Sequence, residues 1–361
     1  MKKNTDVFYT RNLISLIHVI SIIKQSKSKN YKLLFINYQW IDKKILTFFR
    51  KFLMNYFDEI ITFKFTTNEF YRTSDDNKLT FVSNVSYSSR FKLKTYNLNK
   101  LIKKINFDFE KYDVKNLYSG GDDFHLLFKK STKIFYVEHG IGNYRDGILY
   151  KKKIIFSLIN QLLIFVNLFG ANFYSFKKYD GYCSLLSNRF KSKLILNNYE
   201  TNFVQTKNKY FLDVLKEISK YVKKNYKNKY INSPKNITFL NLMGLKYVNA
   251  KISNKLVQNI VSKVKKNEIV YLKNHPTYVS GNDPIKIKLI REFKRKKVKF
   301  TEIKDVFLTT LPLELLIFLT GSKKLISSFS STPLFCSILY KNKMFKNLLL
   351  FYYSMRYPYD D

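Results

Sequence analysis

Residues 133–140 read KIFYVEHG, an apolar run that ends at the polar triplet Glu138-His139-Gly140. Residues 269–276, IVYLKNHP, end in the same way at His275-Pro276, and residues 324–331, KLISSFSS, end in a serine cluster. β-Branched and aromatic residues favour strands. In open α/β sheets, ligands bind at the carboxyl ends of strands. The three stretches therefore predict binding groups at three strand ends.

Strand-like runs alternate with helical ones along the chain, which predicts an α/β fold with parallel sheets. The predicted strands are 7–9, 33–37, 59–63, 116–118, 133–137, 236–242, 268–272 and 324–326. Residues 249–265 form a predicted amphipathic helix, with Ile252, Leu256, Ile260 and Val264 on one face. A chain of 361 residues is long enough for two domains, and we place the boundary between residues 232 and 233.

The composition supports folded cores and a positive surface. Apolar residues make up 45% of the chain and aromatic residues 17%, so a disordered chain is excluded. The formal net charge is +39, and the lysines are spread over the whole length. Such a surface attracts an anionic partner. Charge alone leaves acidic lipid, anionic polysaccharide and nucleic acid open.

Two cysteines, Cys183 and Cys336, are far apart in the sequence and have no metal-ligand spacing, which fits a reducing cytosol. The first 23 residues predict a strand and a helix and not a signal peptide. The apolar stretch Ile154–Phe169 follows three lysines. A buried or interdomain helix is the favoured interpretation of this stretch, with a membrane-surface helix and a transmembrane span as the alternatives.

Each motif has side chains suited to a group transfer. Glu138 is a candidate general base, and its alternative role is a helix cap or a surface acid. His275, with its direction fixed by Pro276, can donate a proton or a charged hydrogen bond to a leaving phosphate. His139 can play a similar role or orient Glu138. A serine cluster at a helix N-terminus suits phosphate binding.

Two further residues complete the candidate set. Glu314 opens a helix after Pro312; it can pair with a ribose hydroxyl or simply suit the helix dipole. Gly244 follows the strand 236–242. The candidate donor-binding residues are Gly244, Pro276, Glu314, Ser327, Ser328, Ser330 and Ser331, and the candidate catalytic residues are Glu138, His275 and His139.

Together these motifs resemble those of bacterial GT-B sialyltransferases, above all the polysialyltransferases and their lipooligosaccharide sialyltransferase relatives. That family has an acid-acid-glycine motif, a His-Pro motif and a late serine pair, in this order. The likeness extends from about residue 130 to 340, and one position departs from it, because His139 stands where the second acid is expected. The resemblance implies a GT-B fold, in which two Rossmann-like domains face a central cleft. The acceptor side is then 1–232 and the donor side 233–361.

The resemblance also implies a reaction. It is an inverting transfer of sialic acid, or a related sugar acid, from a CMP-activated donor to a hydroxyl of a cell-surface glycan, without a metal or other cofactor. Glu138 deprotonates the acceptor, His275 assists the departing CMP phosphate, and the serines hold that phosphate. The expected partners are the CMP-sugar and an anionic glycan acceptor, with no nucleic acid. The expected location is the cytoplasm, peripheral on the inner face of the bacterial plasma membrane.

Two alternatives belong to other classes. CDP-polyol phosphotransferases of wall and capsule polymer synthesis also combine a His-Gly element, a His-Pro element and late serines, and His139-Gly140 fits them equally well. A basic nucleic-acid-binding protein is the non-enzyme alternative. Against it, the aromatic residues lie mainly in apolar strand-like runs and belong to cores.

Overall fold

The computed structural model of the chain describes residues 2–38, 41–65, 98–119, 124, 127–128, 131–137, 180–185, 202–231, 237–242, 250–265, 267–274, 284–322, 324–327 and 336. The chain divides into two units, Met1–Lys207 and Asn208–Asp361. Helix 208–225 therefore groups with the second unit, although the predicted boundary after residue 232 assigns it to the first domain. It does so because this helix packs against a later helix, 313–320, of the second unit.

The first unit contains one sheet of seven parallel strands in the order β3-β2-β1-β4-β5-β6-β7. The strands are β1 (Lys3–Thr10), β2 (Tyr31–Asn37), β3 (Glu59–Phe63), β4 (Tyr112–Ser119), β5 (Lys133–Val137), β6 (Gly181–Ser184) and β7 (Asn202–Gln205). The helices described in this unit are α1 (Leu13–Gln25), α2 (Lys43–Leu53) and α3 (Leu98–Ile105), with a 3₁₀ turn at Phe109–Lys111. This strand order is Rossmann-like.

The core of the first unit is rich in aromatic rings. Residues 33–36 of β2 are all buried, as expected for a parallel strand covered on both faces. The Phe35 ring is fully buried, and its centroid lies 5.2 Å from that of Phe107, 5.7 Å from Phe109 and 5.2 Å from Phe124. The rings of this cluster pack one face of the sheet.

The second unit contains four parallel strands in the order β10-β9-β8-β11. Its elements in chain order are α4 (Asn208–Asn225), β8 (Ile237–Leu242), α5 (Ala250–Lys263), β9 (Ile269–Asn274), α6 (Pro284–Arg295), β10 (Lys299–Glu302), α7 (Val306–Thr310), α8 (Leu313–Thr320) and β11 (Lys324–Ser327). Helix α8 ends at Gly321, which has φ 66°; a left-handed residue there lets the chain turn directly into β11.

The predicted α/β class and the two Rossmann-like units are confirmed, so the two domains that a GT-B fold requires are present. The cleft between them stays a prediction. Every strand predicted from the sequence is found, with longer bounds at several ends. Strands β6, β7 and β10 and helices α2, α3, α4, α6 and α7 were not predicted. On the predicted helix face, Ile260 is in the core and Val264 packs against it.

Within the described parts of the chain, every helix is too short or too polar to cross a bilayer. The apolar stretch Ile154–Phe169 lies outside the described residues. Both cysteines are buried free thiols.

We expect Phe35→Ala to destabilise the first unit by about 3–5 kcal/mol, because it removes a fully buried ring from a cluster of rings. Urea unfolding followed by tyrosine and tryptophan fluorescence measures the change. Met54→Ala is the control, since Met54 is 48% exposed and its loss should change stability by less than about 0.5 kcal/mol. Equal effects of the two substitutions would contradict the assigned core.

Candidate functional site

Three neighbouring strands of the second unit end at one edge of the sheet. Strand β8 lies between β9 and β11, with Leu242 paired to Asn274 and Asn241 paired to Ser327. All three strands are parallel, so their carboxyl ends lie side by side. Adjacent strands are about 4.8 Å apart, and the three ends therefore span roughly 10 Å.

The residues that follow these ends are the three predicted donor motifs. Met243-Gly244 follows β8, His275-Pro276 follows β9, and the serine cluster begins at the last residue of β11. The strand order also changes direction here, since β9 and β10 extend to one side of β8 and β11 lies on the other. The carboxyl edge at such a switch point is where α/β sheets bind ligands.

A buried lysine lies at the same edge. Lys273 precedes His275 by two residues and is only 4% exposed. Its Nζ donates a hydrogen bond of 2.8 Å to the backbone carbonyl oxygen of Thr309, near the end of α7. Burying an ammonium group is costly unless it is paired, so this hydrogen bond is part of what holds α7 against β9.

The charge of Glu314 acts on the same group. Burial lowers the pKa of Lys273 from 10.5 to about 8, and the nearby Glu314 carboxylate opposes part of that shift. Burial also raises the pKa of the Cys336 thiol well above its usual value, and the Glu314 charge raises it further. The Glu314 charge therefore acts on two groups, Lys273 in β9 and Cys336, which follows Ser331 by five residues.

Helix α8 places Glu314 in its first turn, where it is 3% exposed. A carboxylate in the first turn is favoured by the helix dipole, but a side chain so deeply buried needs partners beyond that dipole. The cap residue Pro312 offers no side-chain hydrogen bond. The buried position of Glu314 therefore favours the interpretation that it belongs to a polar site, rather than that it only suits the dipole at a solvent-exposed helix end.

Asp305 fixes the start of α7. One carboxylate oxygen accepts from the backbone N–H of Leu308 at 2.9 Å, and the other accepts from the Tyr226 hydroxyl at 2.6 Å and the Asn228 side-chain amide at 2.9 Å. The Tyr226 ring also stacks on Phe307, with centroids 4.1 Å apart. These contacts hold α7, and with it the Thr309 carbonyl, at a defined place.

The first unit brings together the strand ends that lead to the predicted base. Strand β5 ends at Val137, directly before Glu138, and pairs with β4 through Tyr136 and Ser119. Strand β1 pairs with β4 at the same level, through Tyr9 and Ser119. The Ser119 hydroxyl is buried and has no hydrogen-bond partner among the described residues. The switch point of the first sheet lies at this edge between β1 and β4, and β5 is the next strand after β4.

Of the predicted site residues, two fall in the described part of the chain. Glu314 lies in α8. Ser327 is the last residue of β11, and its backbone is described. The others, Glu138, His139, Gly244, His275, Pro276, Ser328, Ser330 and Ser331, lie outside the described residues. Their roles stay predictions. In the described ranges, no group of three or more His, Cys, Asp and Glu side chains is placed to hold a metal ion, and metal independence stays a prediction.

Sequence reasoning missed the role of Lys273 and Thr309. In the sequence, Lys273 is only the first of two polar residues, Lys273-Asn274, between an apolar run and His275. The signal available was a lysine that directly continues a buried apolar strand and precedes His-Pro. The partner, a backbone carbonyl of α7, has no sequence signature, because any residue type supplies it.

No protein-family profile matches the sequence, and no curated protein matches it. Solved structures with a similar arrangement include an α/β-galactoside α-2,3-sialyltransferase from Photobacterium phosphoreum, with 14% identity, a TM-score of 0.46, and coverage of 92% of this chain and 88% of that one. A UDP-N-acetylglucosamine 2-epimerase from Rickettsia bellii has 16% identity, a TM-score of 0.49, and coverage of 94% and 77%. The wall teichoic acid polymerase TagF has 11% identity, a TM-score of 0.43, and coverage of 93% and 68%. Similarity at this level assigns neither a family nor an activity to the chain.

The buried lysine predicts a distinct dependence of stability on pH. Below pH 8, Lys273 is protonated in both the folded and the unfolded chain. Between pH 8 and 10.5 the unfolded chain keeps a proton that the folded chain loses, so the stability of the wild type rises with pH relative to Lys273→Met. The expected relative gain is about 3 kcal/mol for a shift of this size.

Urea unfolding of both proteins at several pH values measures this gain. Glu314, Cys336 and the tyrosines are common to both proteins, so their titration largely cancels in the difference. A difference in stability that stays constant across this pH range would contradict the buried, desolvated state of Lys273.

Proposed function

We propose that this chain is an inverting GT-B glycosyltransferase that moves a sialic acid, or a related sugar acid, from a CMP-activated donor to a hydroxyl of a cell-surface glycan. The observation that supports the proposal is that the three strands that precede the donor motifs end side by side at one sheet edge. Gly244, His275-Pro276 and the serine cluster follow three adjacent parallel strands. A nucleotide needs contacts to its ribose and its phosphate at once, and adjacent strand ends supply both within about 10 Å.

The donor side lies in the second unit. His275 donates a hydrogen bond or a proton to the phosphate of the departing CMP, and Ser327, Ser328, Ser330 and Ser331 hold that phosphate. Glu314, buried in the first turn of α8, accepts from the ribose hydroxyls. Hydrogen-bond donors stabilise a buried carboxylate, and ribose hydroxyls are such donors.

The acceptor side lies in the first unit. Glu138 follows β5, one strand beyond the switch point between β1 and β4 of the seven-stranded sheet, and takes the proton from the acceptor hydroxyl as that oxygen attacks the anomeric carbon. His139 orients Glu138. Attack from the face opposite the CMP group inverts the anomeric configuration. Neutralising the leaving phosphate and deprotonating the nucleophile in one step lowers the barrier without a metal ion.

The charge of the chain suits the proposed acceptor and location. A net charge of +39 attracts an anionic glycan and the anionic inner face of the bacterial plasma membrane, where the chain would bind peripherally. We propose capsule polysaccharide or lipooligosaccharide as the class of acceptor.

One alternative keeps a specific support in the sequence. His139-Gly140 also fits a CDP-polyol phosphotransferase, in which the histidine at this position would be the base. That reaction would transfer a polyol phosphate and release CMP from a CDP-linked donor. The two functions therefore differ in the preferred nucleotide and in the identity of the base.

Nucleotide binding separates these functions. We expect CMP to bind more tightly than CDP, UMP and UDP in isothermal titration calorimetry, and His275→Ala to weaken CMP binding roughly 10- to 100-fold, because it removes a charged hydrogen bond to phosphate. Thermal unfolding of the variant serves as the folding control. A preference for CDP would favour polyol phosphate transfer, and failure to bind any cytidine nucleotide would contradict both functions.

The base is tested by donor turnover. With CMP-sialic acid and an oligosaccharide acceptor, Glu138→Gln should lower kcat roughly 10²- to 10⁴-fold with little change in CMP affinity, because it removes the general base and leaves the donor site intact. Glu110→Gln is the control, since Glu110 is an exposed carboxylate on the 3₁₀ turn. A larger loss in His139→Ala than in Glu138→Gln would transfer the role of base to His139.

A further inference from the structure

We infer that Lys273 is a positioning residue that holds the Glu314 carboxylate against the ribose hydroxyls of the bound cytidine nucleotide. The inference rests on the proposed function and assigns a role to a residue that the motif comparison leaves without one. Lys273 does not contact the donor in this account. It acts through α7 and α8.

Packing alone does not explain a lysine at this position. The residues before it in β9, Val270, Tyr271 and Leu272, are buried and apolar, and Lys273 continues the strand at 4% exposure. An apolar side chain of similar volume would avoid the cost of burying an ammonium group. The charge therefore needs a reason in the polar groups around it.

Those polar groups belong to the segment that carries Glu314. The ammonium donates to the Thr309 carbonyl at 2.8 Å, and the negative charge of Glu314 acts on it across the same interior. Only Leu311 and Pro312 connect α7 to α8. Because this connection is so short, fixing the end of α7 also fixes the start of α8, where Glu314 lies.

The same lysine lies in the chain that leads to the leaving-group histidine. Lys273 is in β9, and His275 follows two residues later. A single buried ammonium thus couples the element that carries the proposed ribose ligand to the strand that carries the proposed phosphate ligand. Without the ammonium, the position of the Glu314 carboxylate should be less well defined. Binding of the ribose hydroxyls should therefore weaken more than binding of the phosphate.

The test is a double-mutant cycle on ribose recognition. The Kd values of CMP and 2′,3′-dideoxy-CMP are measured by calorimetry for the wild type, Lys273→Met, Glu314→Gln and the double variant. We expect the wild type to prefer CMP roughly 10- to 100-fold, as loss of hydrogen bonds to a charged group implies. Each single variant should lose most of this preference, and the double variant should lose no more than Glu314→Gln alone.

A matched control and a second variant keep the test decisive. The control is Lys288→Met, which removes a lysine of α6 whose Nζ donates to the Asn254 side chain at an exposed site. This variant should keep the wild-type preference for CMP over dideoxy-CMP. Where Lys273→Met does not fold, Lys273→Leu replaces it in the cycle, because leucine also removes both the charge and the hydrogen bond to the Thr309 carbonyl.

The outcomes separate the inference from the function on which it rests. Two results would overturn the positioning role and leave the proposed function standing. One is that Lys273→Met keeps the wild-type preference for CMP over dideoxy-CMP. The other is that the losses of this preference in the two single variants add up in the double variant. Equal binding of CMP and dideoxy-CMP by the wild type would overturn the ribose role of Glu314, and with it the inference. A wild type that binds neither nucleotide would overturn the proposed function itself.

Discussion

Parallel strand pairing is the constraint on which the account of this protein depends. Each described pair of neighbouring strands in both sheets runs in the same direction, so the loops that follow the strands collect at one edge of each sheet. Together with the strand order, which places β8 between β9 and β11, this direction puts the ends of the three strands that precede residues 244, 275 and 328 side by side. A side chain at a strand end can face a ligand, while the rest of its strand is buried and holds it in place.

A buried charge is the second constraint, and it acts locally. The Lys273 side chain is buried on the face of β9 that it shares with Tyr271, because side chains alternate along a strand, and its ammonium must find acceptors there. It finds a backbone carbonyl of α7 and the field of the Glu314 carboxylate. Burial raises the free energy of both charges, and their mutual attraction lowers it.

The sequence predicted the class of fold well because hydrophobic periodicity is a local property. Strands β1 to β5, β8, β9 and β11 each contain a continuous apolar run, and helix α5 repeats its apolar residues every four positions. Strand β10 reads Lys-Phe-Thr-Glu and lies at the sheet edge, so it lacks such a run and was missed. The order of the motifs along the chain suggested a common edge, but the strand order that makes β8 central is a property of tertiary pairing. The Thr309 carbonyl could not be predicted at all, since a backbone acceptor leaves no trace in the sequence.

The most direct test of the central claim is a crystal structure of the full chain with CMP bound. The account predicts that the nucleotide lies against the carboxyl ends of β8, β9 and β11, with its phosphate at His275 and the serine cluster and its ribose at Glu314. CMP bound at the amino edge of the second sheet, or at a site in the first unit alone, would contradict the claim that this edge is the donor site.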